Sequence, residues 1–148
     1  MADIVLLIAS VIVGFLLVGA AAVLFVRTRM AKTVKVLEKR VMNDGCSIRL
    51  PAVSARYSGA DSGYSKVKNN GVLVVGDLRL YFQHFLEKRP SIVIPLADIR
   101  NATVESSFLG ESRVVADGGY LIVHTGDNNR IGFLLKDPEV VRAKLRPD

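Results

Sequence analysis

The chain is poor in the residues that build metal centres and cross-links. Its 148 residues include one cysteine, Cys46, and two histidines, His84 and His124. A lone cysteine excludes an intrachain disulfide and fits a reducing compartment. The histidines fall in or beside strand-like sequence, without H-x-x-H or H-E-x-x-H spacing, and no second cysteine is available for zinc. His84 reads as a surface residue at a strand end and His124 as a hydrogen-bonded residue in a sheet. There is no G-x-S-x-G elbow, phosphate-binding loop or dinucleotide fingerprint. Asp127-Asn128-Asn129 has calcium-like composition, but a hairpin turn accounts for the same residues. No catalytic residue, metal or cofactor is therefore expected, and a small enzyme of unrecognised type is the second alternative.

Charge is absent from Ile4 to Val26, a run of 23 residues in which Ser10 is the only markedly polar side chain. A bilayer core about 30 Å thick needs roughly 20 helical residues to cross it. A cleaved signal peptide would show a basic start and about 7–15 apolar residues before its cleavage site. Here the start carries Asp3 and no Lys or Arg, and Val23-Leu24-Phe25-Val26 extends the run past Ala20-Ala21-Ala22. The expected organisation is a transmembrane anchor over 1–26, a basic juxtamembrane stalk over 27–45 and a folded domain over 46–148.

The positive charge is concentrated beside the run. Arg27, Arg29, Lys32, Lys35, Lys39 and Arg40 face one acid, Glu38, so that segment carries +5, whereas residues 41–148 carry only +2. A nucleic-acid binder would carry its cations on the folded domain, so no nucleic-acid partner is expected. Cations flanking a span stay on the cytoplasmic side. The expectation is a single-pass protein of the cell (inner) membrane, N-terminus out, with the domain in the cytoplasm.

Two features of the front segment admit a bland and a sharper reading. Ser10 and Gly14 form a small-x-x-x-small pair that would let two anchors pack as a homo-oligomer, although small residues are common in membrane helices. Val34, Leu37 and Val41 recur at helical spacing between the basic residues. They suit either a plain stalk or a helix lying on an anionic leaflet. Fully helical, residues 27–45 would extend about 28 Å.

Asn43-Asp44-Gly45 ends the stalk with turn-forming residues. Beyond it the apolar pattern shortens its period to two. Ser47–Tyr57 reads as a strand with a break at Pro51, Ser58–Asn70 as a long loop, and Val72–Val75 as a buried strand. Gly76-Asp77 then reverses the chain into Leu78–Gln83, with Leu78, Leu80 and Phe82 on one face. Ser91–Ile94 and Asn101–Ser106 read as further strands, and Tyr120–Thr125 and Arg130–Leu135 as a second hairpin around Gly126–Asn129. Asp137-Pro138-Glu139 opens a short C-terminal helix with Val140, Val141 and Leu145 on its apolar side. The fold class is mainly β: six or seven antiparallel strands, bent or closed into a small barrel and plugged by the final helix.

The segments GVLVVGDLRLYF, SIVIPLADI, SSFLGES, GGYLIVHT and DPEVV together resemble a bacterial pleckstrin-homology-like domain related to GRAM modules. Gly71, Leu73, Leu78, Leu80 and Phe82 match the family's hairpin, and Ile94, Pro95, Leu96 and Ile99 its following strand. Gly76 stands where the family often has threonine. The resemblance implies a bent antiparallel sheet capped by a C-terminal helix, and a domain that binds proteins, binds lipid head groups or acts as a scaffold. It also points to the first inter-strand loop as the place for an anionic-lipid site, where Arg56, Lys66 and Lys68 are the possible contacts, although a solvated loop with ordinary surface lysines, diluted by Asp61, accounts for the same residues. The leading expectation is an accessory subunit, with the lipid bilayer and a membrane protein as partners. Anionic-lipid binding is the first alternative.

Overall fold

The computed structural model describes the backbone of residues 2–112 and 118–145, with helix side chains described from Ile12 onward. Helix α1 spans Ala2–Asn43 without interruption, so the apolar run and the basic segment are one rod. Its apolar part is long enough to cross a membrane, and the side chains described there are exposed. Gly14 faces open space, and Ser10 lies outside the described side chains.

The helix ends as its terminal residues dictate. Gly45 takes a left-handed φ of 76°. The Gly45 amide donates to the Met42 carbonyl and the Cys46 amide to that of Val41, each at 3.1 Å. This paired closure satisfies carbonyls that the last turn would otherwise orphan.

The strands are β1 (Ile48–Ala60), β2 (Asn69–Gly76), β3 (Arg79–His84), β4 (Ile92–Pro95), β5 (Ile99–Glu105), β6 (Ser107–Phe108), β7 (Glu111–Ser112), β8 (Gly119–Thr125) and β9 (Arg130–Leu135). Helix α2 spans Pro138–Leu145, and a turn of 3-10 helix at Leu96–Asp98 joins β4 to β5. Seven strands form one antiparallel sheet in the order β4-β3-β2-β1-β9-β8-β5. The chain is thus mainly β, with a long apolar N-terminal helix and a short C-terminal one.

The sheet is strongly bent. β3 and β9 stand three places apart in that order, and a flat sheet would separate them by about 14 Å. Yet the rings of Phe82 on β3 and Phe133 on β9 have centroids 5.6 Å apart, with Tyr57 at 6.1 and 6.0 Å from them. Bending brings Leu73, Leu80 and Ile94 from one half against Leu121, Val123 and Ile131 from the other. Val141 and Leu145 of α2 complete this core. An eight-residue helix is marginal alone, so this burial holds it in place.

The outer face of β2 and β3 is also buried, which is why Val72-Leu73-Val74-Val75 reads as a continuous apolar run rather than an alternating one. Val72, Val74 and Tyr81 pack against Leu37 and Val41 of α1, both fully buried. Met30 and Val34 extend the stripe. Glu38 adds a polar tie: its carboxylate accepts from the Ala52 amide at 3.0 Å, beside the irregular register at Leu50–Val53. The basic segment is therefore docked along the domain. Its apolar stripe is covered by the sheet and is not available to lie on a leaflet.

Several local expectations change. Pro51 does not break β1; it is exposed and sits within that irregularity, where a missing amide is tolerated. β1 runs on through Ser58–Ala60 because Gly59 and Ala60 pair with Gly132 and Ile131 of β9, shortening the expected loop to residues 61–68. Leu78 stands in the β2–β3 turn and is exposed, leaving Leu80 and Phe82 to face the core. The SSFLGES segment forms the small β6–β7 hairpin. Its turn residues Leu109 and Gly110 both have positive φ, 48° and 80°. The hairpin lays Phe108 on Tyr120, Ile122 and the bare backbone of Gly132, where any Cβ would overlap the Phe108 ring.

Candidate functional site

The three cations named as possible contacts for an anionic lipid do not form an open cluster. Arg56 and Lys68 both face Glu111, whose carboxylate lies 3.8 Å from the Arg56 guanidinium and 2.5 Å from Lys68 Nζ. The Lys68 hydrogen bond, with help from both positive charges, holds the Glu111 carboxyl below its ordinary range. Lys66 is exposed beside them. Glu111 arrives on the β6–β7 hairpin, distant in sequence, and no spacing signal announces it.

The loop after β1 is held firmly. Asp61 takes a forked ion pair from Arg130, at 2.8 and 3.2 Å, which lowers the Asp61 carboxyl. Asn129 exchanges two hydrogen bonds with the backbone of Ser62, and Tyr57 donates to the Ser65 carbonyl at 2.6 Å. The Asp127 carboxylate accepts from Thr125 Oγ1 and from the Asn129 amide, and these bonds lower its pKa. Asp127 thus serves its own turn. Among the described residues, no group of three or more His, Cys, Asp or Glu could hold a metal ion.

His84 Nδ1 lies 4.0 Å from Glu87, and His124 Nε2 lies 3.3 Å from Thr103 Oγ1. Cys46 is buried, with Sγ 3.5 Å from the Tyr81 hydroxyl, and Tyr81 also donates to Asp44 at 3.3 Å. Burial, then the Cys46 contact, raises the Tyr81 pKa. This cluster sits under the end of α1 and serves its docking.

Among the described residues, three surface hollows stand out. One of about 370 Å³ lies between Tyr64, Pro95, Asp98 and Asp127. A second, of about 310 Å³ and mostly apolar, runs between Val53 on β1 and the exposed Val140 on α2. The third, of about 270 Å³, lies where α1 meets the open ends of β2 and β3, bounded by Phe25, Arg29, Lys68, Asn70, His84 and Leu86. The Arg29 guanidinium also lies 5.4 Å from the centre of the Phe25 ring. Of the basic segment, this hollow gathers Arg29; Arg27, Lys32, Lys35 and Lys39 are exposed along the rod and Arg40 is half-buried.

These features define a class: a mainly β domain packed side-on against a long apolar helix, with hollows at the helix junction, beside α2 and beside the β4–β5 connection. No protein-family model and no curated protein matches the chain. Among solved structures, it is similar to the C-terminal domain of an unknown protein from Leishmania infantum. That likeness covers 75% of this chain and 95% of that one, with 17% identity and a TM-score of 0.51. It concerns the fold alone.

Proposed function

We propose that this is a single-pass membrane protein whose pleckstrin-homology-like domain works in the cytoplasm as a rigid interaction module, an accessory subunit for another membrane protein. One observation carries the reading: Leu37 and Val41, on the same unbroken helix as the apolar run, are fully buried against β2 and β3. A domain on a flexible leash samples all orientations; one welded to its anchor shows a membrane-bound neighbour the same face throughout. Fixed presentation lowers the ordering cost of association, and shared confinement to a membrane raises effective concentration. The strand order, with a C-terminal helix filling the bend, supports the family assignment. The flank charges support the orientation. The sides of β4 and β5 that pair with no strand among the described residues, at the two ends of the sheet order, are candidate surfaces for a partner strand.

Purification from native membranes in several mild detergents tests this reading. A membrane protein is expected to co-purify with the wild-type chain in fixed stoichiometry. It should be lost from Leu37→Asp, which keeps its apolar run but releases the domain. Recovery of only the chain itself in every detergent would contradict the proposal.

A further inference from the structure

The seat beneath the β6–β7 hairpin is built by three neighbouring strands. On the outer face of the sheet, Arg56 of β1, Leu134 of β9 and Tyr120 of β8 stand in one register row. Gly59, Gly132 and Ile122 of the same three strands stand in another. Two glycines side by side in paired strands give up packing and order, and they mark a place where something approaches the backbone closely. The hairpin is what approaches. A Cβ on Gly132 would overlap the Phe108 ring, and one on Gly59 would sit 3.0 Å from Leu109 Cδ1. Phe108 is buried there, its ring centroid 6.4 Å from that of Tyr120. Three residues further on, the Glu111 carboxylate meets Lys68, Arg56 and, at 3.5 Å, the Tyr120 hydroxyl.

The occupant of this seat is weakly attached. β6 and β7 are two residues each and pair with each other; among the described residues no strand pairing ties them to the seven-stranded sheet. The turn is strained, since Leu109 carries a side chain yet holds a left-handed φ of 48°. The Glu111 ion pairs join side chains about one-third exposed, a setting in which water screens them. Side-chain contacts, chiefly those of Phe108 and Glu111, therefore hold a strained turn against strands that pair without it. Such a segment opens locally well before the strands beneath it unfold.

We propose that this seat is the partner-binding site of the domain, and that Phe108 and Glu111 occupy it as a built-in substitute for the partner. The inference rests on the reading of the domain as an interaction module. The occupant that fits is a turn of a partner protein with an aromatic side chain and, three residues later, a carboxylate. Its ring lies on the bare backbone of Gly132 between Tyr120 and Ile122, and its carboxylate takes Lys68, Arg56 and the Tyr120 hydroxyl. The chain's own hairpin competes at the high effective concentration of a short tether. A partner held in the same membrane is concentrated enough to displace it; a dilute soluble one is not.

A fluorescent cyclic peptide with the sequence of residues 106–112 tests this on the full-length chain in mild detergent, read by anisotropy. Phe108→Ala empties the ring's place, so that variant should bind the peptide roughly tenfold or more tighter than wild type does. Alanine in place of the peptide's phenylalanine should abolish binding, and glutamine in place of its glutamate should weaken it roughly fivefold. Near-UV dichroism checks that the variant is folded. Hydrogen exchange on the wild-type chain gives a second reading: the hairpin amides should exchange roughly a hundredfold faster than those of β8 and β9. Equal protection would overturn displacement of the hairpin. Excess peptide should also release the co-purifying membrane protein. Failure of the peptide to bind a folded Phe108→Ala chain would overturn the seat and leave the interaction module standing, provided the membrane protein still co-purifies. Peptide binding that leaves that protein in place would overturn the partner chemistry. A wild-type dimer that the peptide dissolves would give the seat to a second copy's hairpin and overturn the separate partner.

Discussion

Phe133→Ala is expected to destabilise the domain by about 3–5 kcal/mol. Phe133 is fully buried, and its ring meets both Phe82 and Tyr57 across the bend. The Phe82 contact joins strands three places apart in the sheet order, and Tyr57 on the strand beside β9 packs against both rings, so the substitution opens a cavity where the two halves meet. Nothing nearby is free to fill it: Leu73, Leu121 and Ile131 are themselves fully buried in the same core. For a domain of this size the melting temperature should fall by roughly 12 °C or more. With total stabilities of about 5–15 kcal/mol, one such change can consume much of the margin. The chain has no tryptophan, and Tyr57, Tyr81 and Tyr120 are buried, so tyrosine near-UV dichroism follows the domain while α1 dominates the far-UV signal. The near-UV signal should melt early and the helical signal persist. A melting temperature within a few degrees of wild type would show that the bend does not depend on this cluster.

Leu37→Ala should produce the other large effect, of a different kind. The side chain is fully buried between α1 and the outer face of the sheet, so its truncation is expected to cost about 2–5 kcal/mol. The loss falls on docking, because the inner core contains no residue of α1. Leu37→Asp goes further, since an unpaired carboxylate cannot be buried there without a large penalty. Spin labels at the exposed Lys35 on α1 and Val93 on β4, in a Cys46→Ala chain, would measure the result. The wild-type distance distribution should be narrow, that of Leu37→Ala broader, and that of Leu37→Asp spread over the reach of a free tether. Membrane retention should not change in either variant. A narrow distribution in Leu37→Asp would show that Glu38 and the remaining stripe hold the helix without it.

Much of the fold is legible in the sequence because periodicity carries it. The hairpins around Asp77 and around Gly126–Asn129 combine apolar strands with turn residues, and α2 is opened by Asp137-Pro138. What fails is set by distant partners. Ser58-Gly59-Ala60 has little strand propensity of its own and becomes strand because β9 lies alongside. Leu78 matches the alternation of Leu80 and Phe82, yet the turn takes it out of the sheet. The Val34-Leu37-Val41 stripe shows that one side of the helix needs covering, but a stripe does not name its cover; β2 and β3, buried on both faces, are the complement. At the candidate site, Arg56 and Lys68 are visible as cations, but Glu111 meets them only after the β6–β7 hairpin folds over. The hollow beside Phe25 has no linear signature, since α1, β2 and β3 each contribute one side.

The central claim is that the apolar part of α1 crosses a membrane and leaves the domain on the cytoplasmic side. The most direct measurement adds protease to intact cells that carry a tag on the end of the chain following α2, with lysed cells as the control. The tag should survive in intact cells and be digested only after lysis. Digestion in intact cells would contradict the orientation, along with the partner role built on it.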